Sequence, residues 1–114
     1  MDITPVDPES LEQLRVFQDV TDAVFAADVP DLPASPFEEL VAAARTPQTF
    51  VRESRWVMHD AGVAVGVARA SFFLRDNTDQ CAVMVAVHPE HRRRGYGRAL
   101  FDFLVEKATR EGRL

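Results

Sequence analysis

A single cysteine, Cys81, leaves no disulfide possible within the chain and agrees with a reducing compartment. No apolar run approaches the roughly 20 residues of a membrane span, so no membrane partner is expected. The start, Met1-Asp2-Ile3-Thr4-Pro5, has neither a basic region nor an apolar stretch, so no secretory signal is read and a cytoplasmic location is expected. Internal repeats, low-complexity segments and linkers are all missing, which leaves one domain over 1–114. Beyond Tyr96 no aromatics interleave with the basic residues, and the net charge is −5. General nucleic-acid binding is therefore not expected. No metal is expected either.

The 114 residues that are there, 46% hydrophobic and 27% charged, have the composition of a globular domain with one core. Asp7-Pro8-Glu9 reads as an N-cap, a proline at the first helical position and an acid in the first turn. The helix it opens runs to about Ala27, with Val16, Val20, Ala23, Val24 and Ala27 facing the core. Prolines 30 and 33 end it. Ser35-Pro36-Phe37-Glu38 reads as a capping box that opens a short second helix, with Phe37, Leu40, Val41 and Ala44 as its apolar stripe and Pro47 as its stop.

From Phe50 the period changes to that of strands. Trp56 to His59, a turn at Asp60-Ala61-Gly62 and Val63 to Leu74 make a hairpin. After a polar turn at 75–79, Gln80 to Val87 is apolar on both faces, as a central, covered strand would be, with Cys81 as a small buried hydrophobe in it. The last helix, about Tyr96 to Glu111, offers Leu100, Phe103, Leu104 and Ala108 to the core, widened by Phe101 and Val105, with Gly112 as its C-cap. Arg113-Leu114 is where a next strand would begin. The expected class is α/β (α+β), a mixed, mainly antiparallel sheet flanked by helices.

The strand meets that last helix through His88-Pro89-Glu90-His91-Arg92-Arg93-Arg94-Gly95-Tyr96-Gly97-Arg98. Backbone N–H groups at a helix start point outward together, and the dipole adds about half a positive charge there. Glycines 95 and 97 let the backbone turn and approach an anion with no Cβ in the way. Five basic residues, His91 to Arg94 and Arg98, stand out against the acidic remainder. A phosphate or pyrophosphate is the natural guest.

Val85-x-Val87-x-Pro89 followed by Arg92-x-x-Gly95-x-Gly97-Arg98-Ala99-Leu100 resembles the acyl-CoA pyrophosphate motif of the GNAT superfamily of N-acyltransferases. The resemblance covers the whole chain in element order and about Cys81 to Gly112 in motif. It implies acetyl-CoA, or another short acyl-CoA, as co-substrate. Backbone amides from Arg93 through Arg98 would hold the pyrophosphate, with Arg92, Arg93, Arg94, Gly95, Tyr96, Gly97 and Arg98 forming the loop. Val85 and Val87 would offer main-chain groups to the pantetheine arm, and a strand N–H would polarise the thioester carbonyl. The implied activity is acyl transfer to a primary amine of a small molecule or protein; the alternative is a non-catalytic acyl-CoA-binding or structural half-domain.

Two departures stand out. Where many relatives carry a glutamate base, this chain has Ala82 and Met84, so the base is unassigned. His88 and Asp79 are weak candidates, His59 weaker still; Glu38 and Glu39 are acids that could face an amine pocket. The family also continues past this helix with another strand, a helix and a hairpin that carries the usual tyrosine acid, whereas the only tyrosine here, Tyr96, lies in the phosphate loop and is read as packing. The domain is thus expected to be incomplete, the first half of a tandem protein being one arrangement. The open side of the Gln80–Val87 strand would then pair in a homo-oligomer or with the missing C-terminal segment.

Overall fold

The computed structural model describes residues 1–46, 48–75 and 77–112. The elements run β1 (Asp2–Pro5), α1 (Leu11–Asp28), α2 (Phe37–Arg45), β2 (Val51–Asp60), β3 (Val63–Phe73), β4 (Cys81–Val87), a 3-10 turn (Pro89–His91) and α3 (Tyr96–Arg110). The four strands form one antiparallel sheet in the order β1-β2-β3-β4. This is an α+β fold. Strand alternation sends Trp56, Met58, Ala68, Ala70 and Phe72 to one face, where Leu100 and Leu104 of α3 cover them. The opposite face presents Val57 and Val67 to Phe17 and Val20 of α1, with Leu40 of α2 alongside. No described helix is long and apolar enough to cross a membrane.

The hairpin turns as its residues dictate. Ala61 and Gly62 both have positive φ (51° and 80°), the pair of left-handed residues that a two-residue turn between twisted strands needs. In α3, Leu100, Leu104 and Ala108 are buried and Phe103 half-buried, while Phe101 and Val105 are exposed rather than widening the stripe. The helix carries a single apolar seam because one sheet face is all it meets. Gly112 has φ 71°, as the residue after a helix end commonly does.

Several local expectations are corrected. α1 begins at Leu11, not at Pro8: Ser10 is the cap, its hydroxyl accepting from the Gln13 N–H at 3.2 Å. Gln13 Oε1 reaches back to the Asp7 N–H at 2.7 Å, and the Asp7 side chain only closes a turn onto Glu9. The buried seam is Leu14, Phe17, Gln18 and Val20; Val16, Ala23 and Val24 are half-buried and Ala27 is exposed. The buried residues of α1 lie between Leu14 and Val20, and Phe25 to Asp28 are exposed.

Ser35 does not cap α2. Pro36 holds the N-cap position and makes no side-chain cap bond, and the Ser35 carbonyl accepts instead from Gln18 Nε2 at 3.0 Å. Phe37, Leu40, Val41 and Ala44 do lie on the half-buried side of α2.

β4 is covered on both faces over its second half, Val85 and Val87 packing on the α3 side and Met84 and Ala86 on the α1 side, but it is not central: it is an edge of the described sheet, paired with β3 alone, and its Val83 is 43% exposed. Cys81 is accordingly half-buried. β1 was not expected: four residues ended by a proline carry no strand periodicity, and pairing with the long β2 creates it. Pro47, Asp76 and the Arg113-Leu114 continuation lie outside the described residues.

Candidate functional site

β4 ends in a sequence of turns that aims backbone at one point. The His88 N–H still extends the ladder by donating to Val65 O at 2.8 Å. Pro89 then starts the 3-10 turn, closed by the His91 N–H on His88 O at 2.9 Å. Arg92 is extended, Arg93 left-handed (φ 67°) and Gly95 left-handed (φ 81°) at the N-cap of α3. With glycine there, no side chain caps the first-turn N–H groups of α3. Such unfilled donors beside left-handed residues form an anion-binding concavity. The left-handed Arg93 costs about 1–2 kcal/mol of backbone strain, which the surrounding fold must sustain.

This corner opens into a cleft of about 480 Å³ between the end of β4, the loop and the C-terminal part of α1. Val85 and Val87 line it from β4, and Arg92, Arg93 and Gly95 from the loop. Tyr96, Gly97 and Arg98 close it from α3, while Val24 and Asp28 face them from α1. Of the loop residues singled out from the sequence, only Arg94 is not in the wall. A Cβ on Gly95 would meet nothing within 4 Å, and one on Gly97 only the Val87 side chain at 3.4 Å. Protein packing therefore does not explain the glycine at 95.

The arginines divide their work. Arg92 is engaged by Asp28 through two 2.9 Å hydrogen bonds and also donates from Nε to Val87 O at 3.3 Å. Its charge is offset, so it ties the loop to the end of α1 rather than standing free for a ligand. Hydrogen bonding from Arg92 holds the Asp28 carboxyl below the usual carboxylate range and raises Arg92 in turn. An acid at a helix C-terminus opposes the helix dipole, the one sequence signal that Asp28 has a cationic partner. Arg94 instead sits near the Tyr96 hydroxyl. Arg98 pairs with Asp102 on its own helix at 3.5 Å, and Arg93 has no ion-pair partner among the described residues.

Tyr96 is buried with its ring against the α3-side core. Its hydroxyl donates to Asp60 Oδ2 at the end of β2, and that bond, with burial, pushes the phenol above its ordinary pKa. It is a structural hydroxyl, already committed.

The two base candidates lie at opposite ends of β4. His88 is half-buried beside the loop, its Nδ1 accepting from the Glu90 N–H at 3.1 Å, whereas Asp79 is exposed in the turn before the strand. About 30 Å of extended chain separates them. His59 is half-buried on β2, and Glu38 is exposed on α2 without the expected cap contact. Donor atoms of His88, Glu90 and His91 lie within 4.8 Å of one another, the one such group among the described residues.

A second cleft, of about 460 Å³, lies beneath α1 and α2 on the other side of Val24. Phe17, Phe25 and Leu40 give it apolar walls, Asp22 and Glu39 carry carboxylates to it, and Arg55 and Arg69 reach it from β2 and β3. Nothing in the local sequence announces it. Val24, Val85 and Ala86 belong to both clefts, so the two meet over one segment of β4.

Residues 17–113 match the family model described as acetyltransferase (GNAT) family. A search of curated proteins finds no match. Among solved structures, the chain is similar to a tandem GNAT protein from the clavulanic acid biosynthesis pathway (27% identity, TM-score 0.84), over 98% of this chain and 34% of that one. It also resembles YncA of Salmonella typhimurium, solved with its cofactor acetyl-CoA (22% identity, TM-score 0.74), over 98% and 65% of the two chains. An N-acetyltransferase from Staphylococcus aureus Mu50 matches at 19% identity and TM-score 0.72, over 98% and 69%. The chain thus spans about a third of the tandem protein and about two thirds of the others. A strand, glycine loop and helix in this order, in a fold shared with these structures and under a family match over most of its length, make the chain a member of the GNAT acetyltransferase family.

Proposed function

We propose that the chain binds acetyl-CoA or another short acyl-CoA in the β4–α3 cleft and passes the acyl group to a primary amine of a small molecule or protein. The observation that carries this is the meeting of two clefts over Val85 and Ala86, one ending in the glycine loop and the other open to a second substrate. The pyrophosphate rests on backbone N–H groups from Arg93 through Arg98, with Arg93, which has no ion-pair partner among the described residues, adding charge. The pantetheine arm runs along Val85 and Val87 on the edge of β4 that no described strand occupies. A β4 N–H polarises the thioester carbonyl. The neutral amine attacks that carbon, the tetrahedral oxyanion collapses, and CoA leaves as the thiolate, which takes up a proton.

The Val85–Ala86 segment carries no titratable side chain, so the ammonium proton leaves through water to an acceptor off that strand. Calorimetric titration of the chain with acetyl-CoA tests the reading. Saturable binding that is lost on Gly95→Glu with Gly97→Glu is the expected result, and a folded sample that binds nothing overturns it.

A second reading, an acyl-CoA-binding half that does not itself turn over, is favoured by the likeness to one third of a tandem protein. Binding without acetylation of any amine in a broad panel would select it. In either reading the part of the β4 edge ahead of Val85 is where a further strand would add, from a second copy or from more of the same polypeptide.

A further inference from the structure

The floor of the second cleft holds an arrangement that the fold alone does not need. Arg55 and Arg69 are direct cross-strand partners on the face covered by α1 and α2. Like charges opposite one another destabilise a sheet. Arg55 is also 8% exposed, and a guanidinium out of water is costly unless fully paired. The pairing is partial. Glu53 lies 3.1 Å from Arg55 Nη2 and 3.9 Å from Arg69 Nε, so one carboxylate serves two arginines. Arg55 Nε is buried with no hydrogen-bond partner among the described residues. One net positive charge is left in this Glu53–Arg55–Arg69 cluster, at one side of a cleft that carries Asp22 and Glu39 elsewhere in its wall.

We propose that the second cleft takes a small amine that also bears an anionic group, a carboxylate or a phosphate, which Arg55 and Arg69 hold while the amine is directed at β4 where the clefts meet. The inference rests on the acyl-transfer reading for the direction of the amine, but the anion site stands on its own residues. Arginine forks suit either anion, and a second anion would bring the cluster to two of each charge. Asp22 and Glu39 give the same cleft an acidic side for the ammonium. Arg69 pairs with Met84, and Ala86 lies two residues further along β4, about 7 Å away, so a spacer of a few methylenes joins the two groups of the ligand.

Nuclear magnetic resonance of the 114-residue chain, titrated with acetyl-CoA and then with three probes, tests this. The probes are 4-aminobutyrate, 3-aminopropylphosphonate and the neutral 4-aminobutanamide, read at the Met84 methyl and the Arg69 Nε–Hε. At least one anionic probe should saturate these signals, with the amide at least tenfold weaker; the tighter anion assigns carboxylate or phosphate. Arg69→Gln, at a half-exposed position, should weaken the anion tenfold or more, Arg69→Lys should weaken it less, and neither should change the acetyl-CoA response of the Gly95 and Gly97 amides. An amide that binds as tightly as the acids, no probe that binds, or an Arg69→Gln variant that binds undiminished overturns the proposal. Anion binding with no Gly95 or Gly97 response to acetyl-CoA would keep the anion site and overturn the donor reading instead.

Discussion

Replacing Gly95 by alanine and by asparagine separates two roles proposed for one residue of the β4–α3 loop, a backbone role and a ligand-binding role. Gly95 sits at φ 81° with open space where a Cβ would go. Alanine there meets no atom, so its cost is the left-handed backbone alone, about 1–2 kcal/mol. For a domain of this size that is roughly 4–8 °C in Tm. Asparagine tolerates the left-handed region better and should recover a good part of the loss. Acetyl-CoA affinity should behave differently: both variants put a Cβ into the wall of the cleft where the pyrophosphate is to rest, so both should bind at least tenfold more weakly. Thermal denaturation and calorimetric titration of the three proteins are sufficient. If alanine is as stable as glycine, the strain argument is wrong; if asparagine binds acetyl-CoA as tightly as glycine does, the loop does not hold the ligand as argued.

Gly66→Ala should also destabilise, but through packing rather than backbone strain, since its added Cβ would lie 2.8 Å from Leu100 Cδ1 and 3.1 Å from Ala86 O; a loss of about 1–3 kcal/mol is expected, read as a lower denaturant midpoint with unchanged slope. Tyr96 is the only tyrosine, so ultraviolet absorbance titrates it directly. Its ionisation should come above the ordinary value of about 10. Asp60→Asn should bring it down and removal of Arg94 raise it further. Because the folded value is the higher one, the stabilisation is complete below pH about 10 and is lost as pH rises through it. Asp28 has the opposite sign: its lowered pKa makes the Arg92 contact fully effective above about pH 4 and lost as pH falls through the folded value. Asp28→Asn should remove that part of the acid dependence of stability and leave Tyr96 titration unchanged.

The features legible in the sequence are those set by near neighbours. The Ala61-Gly62 turn, the seam of α3 and the Pro89 to Gly97 junction each depend on a few consecutive residues whose backbone preferences and periodicity are visible directly. The same locality explains the family resemblance, which lies in one contiguous strand, loop and helix. What failed even at short range were the two helix starts: at α1 Asp7 and Ser10 both offer a cap and the reciprocal bond of Gln13 to Asp7 decides for Ser10, and at α2 Pro36 rather than Ser35 holds the N-cap position.

Only the tertiary structure decided which charges remain free. Arg92 and Asp28 are 64 residues apart and Tyr96 and Asp60 are 36 apart, so no local pattern shows that the first arginine of the motif is neutralised or that the tyrosine hydroxyl is already bound. Strand register alone brings Arg55 opposite Arg69, and the packing of α1 and α2 over them makes a cleft of what the sequence shows only as two arginines in strands. The sequence determined a strand, a glycine turn and a helix start able to take a phosphate, because those follow from dihedral preferences of successive residues. Where a second cleft meets it was decided by folding, because that depends on distances between segments that the chain order does not record.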